Sequence, residues 1–484
     1  MRQSFFLSLF LIIILIENAG CDRRGAKITT IAIHFPKAAN DTVKIATANM
    51  VDLDVVELGK VKLDSNGNGA LEFALETPLF AFSNSKHMVG GFYIVPGSKV
   101  TLVQSQDTTS QLADYEGDGA IFNRYLRAAN DIRNGLEKWK GKHAIELEAG
   151  DFINARDSLQ KAYDQLESKM KTEKDISEEM RNLLALRNRM SVLFYQYNFA
   201  IGRDSANTPA SVREAVKHMP VDTIALKTRM YDYGLIASYF FQHEIINEIS
   251  VENEEMDGDS LAAIFPQLAD EKIKQKKYPK LIEDYLRTKS ADYQIRMDGL
   301  SPNIGKLVSK LEKEVVADEF KSTIRADVAR WEKIGPGKLA PDFSGTTPGG
   351  KKISLSELRG KVVYVDIWAT WCGPCLEEFP YSKKIETGFK DNDKIAFLYV
   401  SVDRDTLAWK KMVASGKVPP GIHIQDNAEP PGSIWNLYHV WGVPRYLLID
   451  AAGRMVATHA ERPSSGKLTA ELRKLLSTKE LANN

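Results

Sequence analysis

The stretch that decides the fold of the C-terminal part of this chain reads VVYVDIWATWCGPC, residues 362–375. Its first half is a near-continuous apolar run, which is typical of a central strand buried on both faces of a sheet. Cys372 and Cys375 end the stretch, and LEEF follows as the start of a helix. A thiol at a helix N-terminus is stabilised as a thiolate by unpaired N–H groups and by the helix dipole. The i, i+3 spacing brings the second sulfur to the same face, near enough for a disulfide. We therefore expect Cys372 to be the attacking sulfur and Cys375 the buried, resolving sulfur.

Besides redox chemistry, this cysteine pair could serve a zinc site or a structural disulfide. A zinc site needs further ligands, but the chain has no second cysteine pair and no histidines at finger spacing. A purely structural disulfide across a four-residue loop would remove little chain entropy. We therefore expect neither a metal ion nor another cofactor.

Length and composition bound the remaining possibilities. The chain has 484 residues, with 64 Lys+Arg balanced by 64 Asp+Glu, and 43% of its residues are hydrophobic. This length predicts about three domains. The composition excludes a mostly disordered chain, a collagen-like chain and a polytopic membrane protein. Zero net charge offers no sign of a nucleic-acid partner, and we expect none.

The N-terminus reads as a targeting segment. Arg2 precedes the apolar run FFLSLFLIIILI, residues 5–16. As a helix this run rises about 18 Å, which is too short to cross a hydrocarbon core of about 30 Å. Its length and position fit the apolar region of a secretory signal peptide. The small residues Ala19 and Gly20 before Cys21 resemble the lipobox of bacterial lipoproteins. That resemblance implies a signal peptide over residues 1–21, lipid on Cys21 and a body tethered to a membrane.

The rest of the chain divides by hydrophobic period. Residues 22–117 favour short alternating strands, which predict a small antiparallel β-sandwich, with a hairpin around the turn cluster at 64–69. Residues 118–333 follow the helical period and predict about eight helices. Residues 334–338 are rich in Gly and Pro and read as a linker. Residues 339–484 alternate strand, helix and strand, which predicts an α/β sheet with crossover helices.

Two motifs in the last segment resemble the thioredoxin family. VDIWATWCGPC at 365–375 resembles its active site, and VWGVPRYLLID at 440–450 resembles its cis-proline strand. The resemblance implies an α/β thioredoxin fold over 339–484, so the whole chain is expected to be multidomain. It makes Pro444 the cis-proline and the backbone of Val443 a pairing edge for substrate. Trp371, with Gly373 and Pro374, would complete the substrate-facing rim.

The segments before the active site narrow the resemblance. APDF at 340–343 and ISLSELRGK at 353–361 resemble the lead-in of the membrane-anchored TlpA and ResA thioredoxins. The preceding β and helical regions look like the N-terminal extension of such lipoproteins in Gram-negative bacteria. Asp366 matches the buried acid of thioredoxin, and Glu378 matches the acid of the ResA-like group. Either carboxyl is a candidate to exchange a proton with Cys375, because burial raises the pKa of a carboxyl.

The resemblance implies a membrane-anchored, periplasmic thiol–disulfide oxidoreductase of the cell envelope. Gly373-Pro374 is the dipeptide of reducing thioredoxins, which favours reduction of disulfide-containing client proteins. The electrons would then come from a thiol-transferring donor in the membrane, and the lipid on Cys21 would supply the membrane contact.

Two alternatives stay open. In the first, the main function belongs to the N-terminal region, which binds a client or an envelope partner. An exposed aromatic surface at 195–199 or 239–241 would favour this alternative. The protein is an oxidase or isomerase if its reduction potential is well above that of thioredoxin.

Overall fold

The computed structural model describes residues 25–105, 111–201, 203, 206–429 and 431–478. These residues form two compact units. The N-terminal unit holds the described residues up to Glu255 together with Lys272–Leu286. The C-terminal unit holds Met256–Glu271 together with the described residues from Arg287 onward. The predicted signal peptide and Cys21 lie outside the described residues.

Strands between residues 27 and 117 build a two-layered β domain in the N-terminal unit. They are β1 (Lys27–His34), β2 (Thr42–Ala48), β3 (Val55–Lys62), β4 (Asn68–Leu75), β5 (Leu79–Asn84), β6 (Val89–Ile94), β7 (Lys99–Gln104) and β8 (Ala113–Gly117). One sheet has the order β4-β1-β7-β8 and the other has the order β3-β2-β5-β6. Alternate side chains from both sheets, among them Ile31, Val43 and Phe92, are buried in one shared core.

Two details of this β domain differ from the sequence prediction. β1 and β7 pair in parallel, with Ile31 opposite Val100, so the sandwich is not purely antiparallel. No tight turn joins these two strands, and the burial of alternate side chains selects their pairing instead. The predicted hairpin at 64–69 is also wrong, because β3 pairs with β2 while β4 pairs with β1. The turn therefore carries the chain from one sheet to the other.

Helices make up most of the described chain from residue 120 to residue 332. They are α1 (Ala120–Gly135), α2 (Ala149–Met170), α3 (Glu178–Ala200), α4 (Ala210–Val216), α5 (Thr223–Lys227), α6 (Tyr231–Phe240), α7 (Ile246–Glu252), α8 (Gly258–Gln275), α9 (Lys280–Asp298), α10 (Pro302–Glu314) and α11 (Asp318–Glu332). Two short strands, β9 (Lys138–Trp139) and β10 (Lys142–His143), pair between α1 and α2. A π-helical turn at Phe241–Ile245 separates α6 from α7. The helices outnumber the predicted eight because α4 and α5 are short and because this turn divides one apolar run.

Most of the aromatic side chains that an exposed docking surface would need are buried. Tyr197 and Phe199 lie inside the N-terminal unit, as do Phe240 and Phe241. These segments therefore contribute to the helical core. Among the described residues, no helix combines the length and the apolar character needed to cross a membrane.

The C-terminal domain is built on a seven-stranded mixed sheet with the order β12-β11-β15-β14-β13-β16-β17. Its strands are β11 (Ser344–Thr346), β12 (Lys352–Ser354), β13 (Val362–Trp368), β14 (Ile395–Ser401), β15 (Ile422–Gln425), β16 (Arg445–Ile449) and β17 (Met455–Ala457). Its helices are α12 (Gly373–Phe389), α13 (Thr406–Ala414), α14 (Ile434–Leu437) and α15 (Leu468–Thr478). Every residue of β13 is buried, as its apolar run predicts for a central strand. β13 pairs in parallel with β14 and antiparallel with β16.

The two faces of β13 belong to different cores. Val365 and Ile367 face one apolar cluster, whereas Tyr364 and Trp368 belong to a second cluster with residues of α12 and α15. Because side chains alternate along a strand, Asp366 lies on the second face. The acid is therefore on the side of the sheet that α12 covers.

The predicted linker at 334–338 is hydrogen-bonded to the C-terminal domain. The Gly337 amide donates to the Met455 carbonyl at 2.7 Å, and the Met455 amide donates to the Lys338 carbonyl at 2.8 Å. Helices α10 and α11, which precede this segment, belong to the same compact unit as the domain that follows it. The C-terminal unit is thus larger than the domain predicted over 339–484, whose boundaries stay a prediction.

Candidate active site

The redox pair lies where β13 ends and α12 begins. Cys372 is the N-cap residue of α12, and its sulfur accepts a hydrogen bond from the Cys375 amide at 3.2 Å. The two cysteines are joined by a disulfide across a Cα–Cα distance of 5.3 Å. Both are buried, Cys375 more completely than Cys372. When the disulfide is reduced, the helix N-terminus stabilises negative charge on Cys372. Gly373 and Pro374, between the cysteines, form the first turn of α12.

A buried carboxylate just after the neighbouring strand β14 holds the loop before Cys372. Asp403, just after β14, accepts hydrogen bonds from the Thr370 amide at 3.1 and 3.0 Å and from the Thr370 hydroxyl at 2.6 Å. The Ser401 hydroxyl donates to the same carboxylate at 2.7 Å. Sequence reasoning missed Asp403, because it lies 31 positions after Cys372 and the pairing of β13 with β14 alone brings it here. This contact fixes the position of the loop that presents the reactive sulfur.

Asp366 lies on the face of β13 that α12 covers. Its register places it opposite Tyr399 on β14 and opposite Tyr446 on β16, so both tyrosines share its face of the sheet. In the described part of the chain, neither carboxyl oxygen of Asp366 has a hydrogen-bond partner. Burial raises the pKa of Asp366 well above its usual value, and the negative charge of Glu378 raises this pKa further. Asp366 therefore holds a proton more strongly than an exposed aspartate does.

Glu378 lies one turn of α12 beyond Cys375 and is buried as well, with 7% of the residue exposed. One of its carboxyl oxygens accepts from the Ser464 hydroxyl at 2.7 Å, and the other accepts from the Ser464 amide at 2.9 Å. Ser464 was not predicted, because it lies 86 positions along the chain from its partner. The two acids thus have opposite surroundings, since Glu378 has two donors whereas Asp366 has none among the described residues.

The second predicted motif, residues 440–450, forms strand β16 and the loop before it. The Val443–Pro444 peptide bond is cis. Trp441 in this loop and Trp371 beside Cys372 are large apolar side chains with 52% and 67% of their surface exposed. Most large apolar side chains of this domain are buried, so two exposed tryptophans beside the reactive segments suit contact with another chain.

Arg445 follows directly after the loop at 440–444, here called the proline loop, and ties it to neighbouring segments. Its guanidinium donates to the Thr458 carbonyl at 3.1 Å and to the Arg296 carbonyl at 3.0 Å. The Arg296 side chain in turn lies 4.8 Å from the ring centre of Trp441, a cation–π contact. Burial lowers the pKa of Arg445 to about 10. Sequence reasoning missed this anchor, although Arg445 directly follows Pro444, because its partner lies on α9, 149 positions earlier.

This geometry supports one kind of chemistry, which is exchange between a dithiol and a disulfide. The described residues contain no group of three or more His, Cys, Asp or Glu side chains placed to hold a metal ion. The site instead offers two sulfurs at a helix N-terminus, two buried acids beside them and an apolar rim.

Comparison with known proteins gives the same assignment. A family model described as Redoxin matches residues 335–476. The thiol-disulfide oxidoreductase ResA of Bacillus anthracis is 31% identical over 144 residues, which are 30% of this chain and 80% of that protein. This chain belongs to that family. It is a thioredoxin-superfamily enzyme, and its C-terminal domain is a ResA-like thiol–disulfide oxidoreductase.

Two further relatives show the extent of the similarity. The thioredoxin-like protein YneN of Bacillus subtilis (strain 168) is 43% identical over 68 residues, which are 14% of this chain and 39% of that protein. Among solved structures, the thioredoxin domain of a thiol-disulfide oxidoreductase from Bacteroides vulgatus is 29% identical. The alignment covers 29% of this chain and 96% of that one, with a TM-score of 0.27.

Proposed function

We propose that this protein is a lipid-anchored reductase of protein disulfides that faces the periplasm. The observation that carries the proposal is the Cys372–Cys375 pair at the N-terminus of α12, backed by two buried acids. The lipobox-like residues ending at Cys21 and the Gly373-Pro374 dipeptide of reducing thioredoxins support the anchor and the direction.

The reaction begins with the reduced enzyme. The Cys372 thiolate attacks one sulfur of a client disulfide, so that a mixed disulfide forms and the other client sulfur leaves as a thiolate. Cys375 then loses its proton and attacks Cys372, which releases the second client sulfur. The enzyme ends as the disulfide and the client as the dithiol, so two electrons have passed to the client. A thiol-transferring donor in the membrane returns the enzyme to the dithiol.

The two acids take different parts in the second step. In its ionised form Asp366 accepts the proton of Cys375, because its buried carboxylate has a strong affinity for a proton and its oxygens are not engaged by the described residues. Glu378 is held by Ser464, and its negative charge raises the pKa of Asp366. Asp366 is therefore the proton carrier, and Glu378 sets how strongly the carrier holds its proton.

The client binds as an extended strand beside the proline loop. Main-chain groups of Val443 next to Pro444 offer hydrogen bonds to such a strand. The exposed rings of Trp371 and Trp441 cover the apolar side chains that flank the client disulfide. Recognition through main-chain contacts and flat aromatic surface suits a range of client sequences.

The test is the reduction potential of the Cys372–Cys375 couple in the full chain, purified in detergent. The protein is equilibrated with glutathione or dithiothreitol buffers, and alkylation of the thiols measures the reduced fraction. A potential near that of thioredoxin, about −270 mV, supports the reductase. A potential near about −120 mV would make the protein a donor of disulfides and would refute the proposed direction.

A second test concerns the anchor and the clients. Metabolic labelling with a fatty-acid analogue is expected to mark the unaltered chain and not Cys21→Ser. In the envelope, Cys375→Ser is expected to accumulate mixed disulfides with clients, because the resolving sulfur is missing. Labelling that is unchanged in Cys21→Ser would refute the lipid anchor, and absence of mixed disulfides would count against protein clients.

A further inference from the structure

A cavity in the N-terminal unit is lined by residues that take no part in the redox site. It encloses about 260 Å³ between the sheet that contains β5 and β6 and the helices α1, α3 and α6. Its lining combines the rings of Phe80 and Phe82 with the guanidinium groups of Arg133, Arg187 and Arg229. An adjoining cavity of about 350 Å³ shares Phe82, Gly91, Asn130 and Arg133 with it.

Arg187 on α3 is the unusual member of this lining. Only 7% of the residue is exposed, yet the hydrogen bonds of its guanidinium to the described residues go to side-chain amides. One nitrogen donates to the side-chain oxygen of Asn130, and another donates to that of Asn188 at 3.5 Å. No described carboxylate forms an ion pair with it. A buried charge without a counter-charge is strongly unfavourable, so this position is suited to an anion from outside the chain.

The neighbouring arginine shows the contrast. Arg133 reaches both carboxyl oxygens of Asp232 at 2.9 and 3.1 Å, so its charge is already paired. Elsewhere in the protein, Arg287 is at least as deeply buried as Arg187 and contacts the carboxylates of Asp270 and Glu314, the latter at 2.7 Å. Arg187 therefore differs from Arg133 and Arg287, each of which contacts a carboxylate.

We propose that the cavity binds a small organic monocarboxylate whose apolar body is about the size of one aromatic ring. The carboxylate accepts hydrogen bonds from Arg187, whose planar fork matches its two oxygens. The apolar body lies against Phe80 and Phe82, whose side chains share one face of β5. A single negative charge is sufficient, because Arg133 already has Asp232 as its partner. Longer apolar bodies extend into the adjoining cavity. This binding site is separate from the redox pair and does not rest on the proposed direction of disulfide exchange.

Calorimetric titration of the full chain in detergent tests the proposal with two matched probes, 3-phenylpropionate and its neutral analogue 3-phenylpropionamide. We expect the acid to bind at least tenfold more tightly than the amide, and we expect inorganic phosphate not to displace it. Equal affinities for acid and amide, or no binding of the acid, would overturn the proposal. Displacement by phosphate at similar concentration would overturn the monocarboxylate class.

Two variants locate the site. Arg187→Met is expected to abolish the preference for the acid over the amide, whereas Arg189→Met, an exposed arginine on the same helix, is expected to retain it. If Arg187→Met keeps the preference, the acid binds elsewhere and the assignment fails. Comparison of the two probes on the unaltered protein remains decisive even if Arg187→Met does not fold.

Discussion

Asp366→Asn provides the sharpest test of the site's electrostatics. Because burial and the charge of Glu378 raise the pKa of Asp366, the folded state keeps its proton over a pH range in which the unfolded chain has lost it. The folded state then binds more protons, so the free energy of unfolding falls as pH rises between the two pKa values. Asparagine has nearly the same shape but does not titrate. The variant is therefore expected to gain stability relative to the wild type as pH rises.

The size of the effect follows from proton linkage. One group that is protonated only in the folded state contributes a slope of about 1.4 kcal/mol per pH unit. The variant should thus gain about 1.4 kcal/mol over the wild type for each pH unit between the unfolded and the folded pKa of Asp366. The described residues give the Asp366 carboxyl no hydrogen-bond partner, and the amide of the Asp366→Asn variant meets the same surroundings, so the cost of burying unpaired polar atoms largely cancels between them.

Amide hydrogen exchange of the β13 peptide is the suitable assay, because it reports opening of this domain within the full chain. Asp393→Asn, an exposed acid of the same domain, is the control for loss of a carboxyl and should change stability little. Glu378→Gln removes one cause of the raised pKa of Asp366, so the decline in stability should end at a lower pH. A stability difference between Asp366→Asn and wild type that is constant from pH 5 to pH 7 would refute the reasoning.

Three further predictions concern the surrounding contacts. Ser464→Ala removes the 2.7 Å hydrogen bond to Glu378 and should lower the stability of α12 by about 1–2 kcal/mol in the same exchange assay; an unchanged value would mean that water replaces the hydroxyl. Arg445→Met deprives the Thr458 and Arg296 carbonyls of a donor. It should raise KM for a protein disulfide more than it lowers kcat, and equal effects on small and protein disulfides would contradict a role in positioning the proline loop. Burial raises the pKa of Glu386 to about 8, well above the usual range of a glutamate. Glu386→Gln should therefore gain stability over the wild type as pH rises from the usual pKa of a glutamate towards 8. A stability difference that does not change with pH would show that Glu386 ionises normally.

The sequence by itself determined those features that depend only on residues close together in the chain. The apolar run at 362–368 predicted a buried central strand, and the Cys372 and Cys375 spacing predicted a redox pair at a helix N-terminus, because period and helix geometry act over a few residues. The cis bond before Pro444 was expected from the family resemblance, not from spacing alone.

Tertiary structure decided which distant residues complete each site. Asp403, Ser464 and Arg296 reach the active site through strand pairing, a loop and a helix far along the chain, and no local pattern marks them. The same reason explains the hairpin that failed at 64–69, since a turn signal fixes a reversal of direction but not the sheet that the next strand joins. Likewise, the sequence shows Arg187 only as one helical arginine among many. Its proposed role in binding an anion depends on its burial away from the described carboxylates, which is a property of packing in three dimensions.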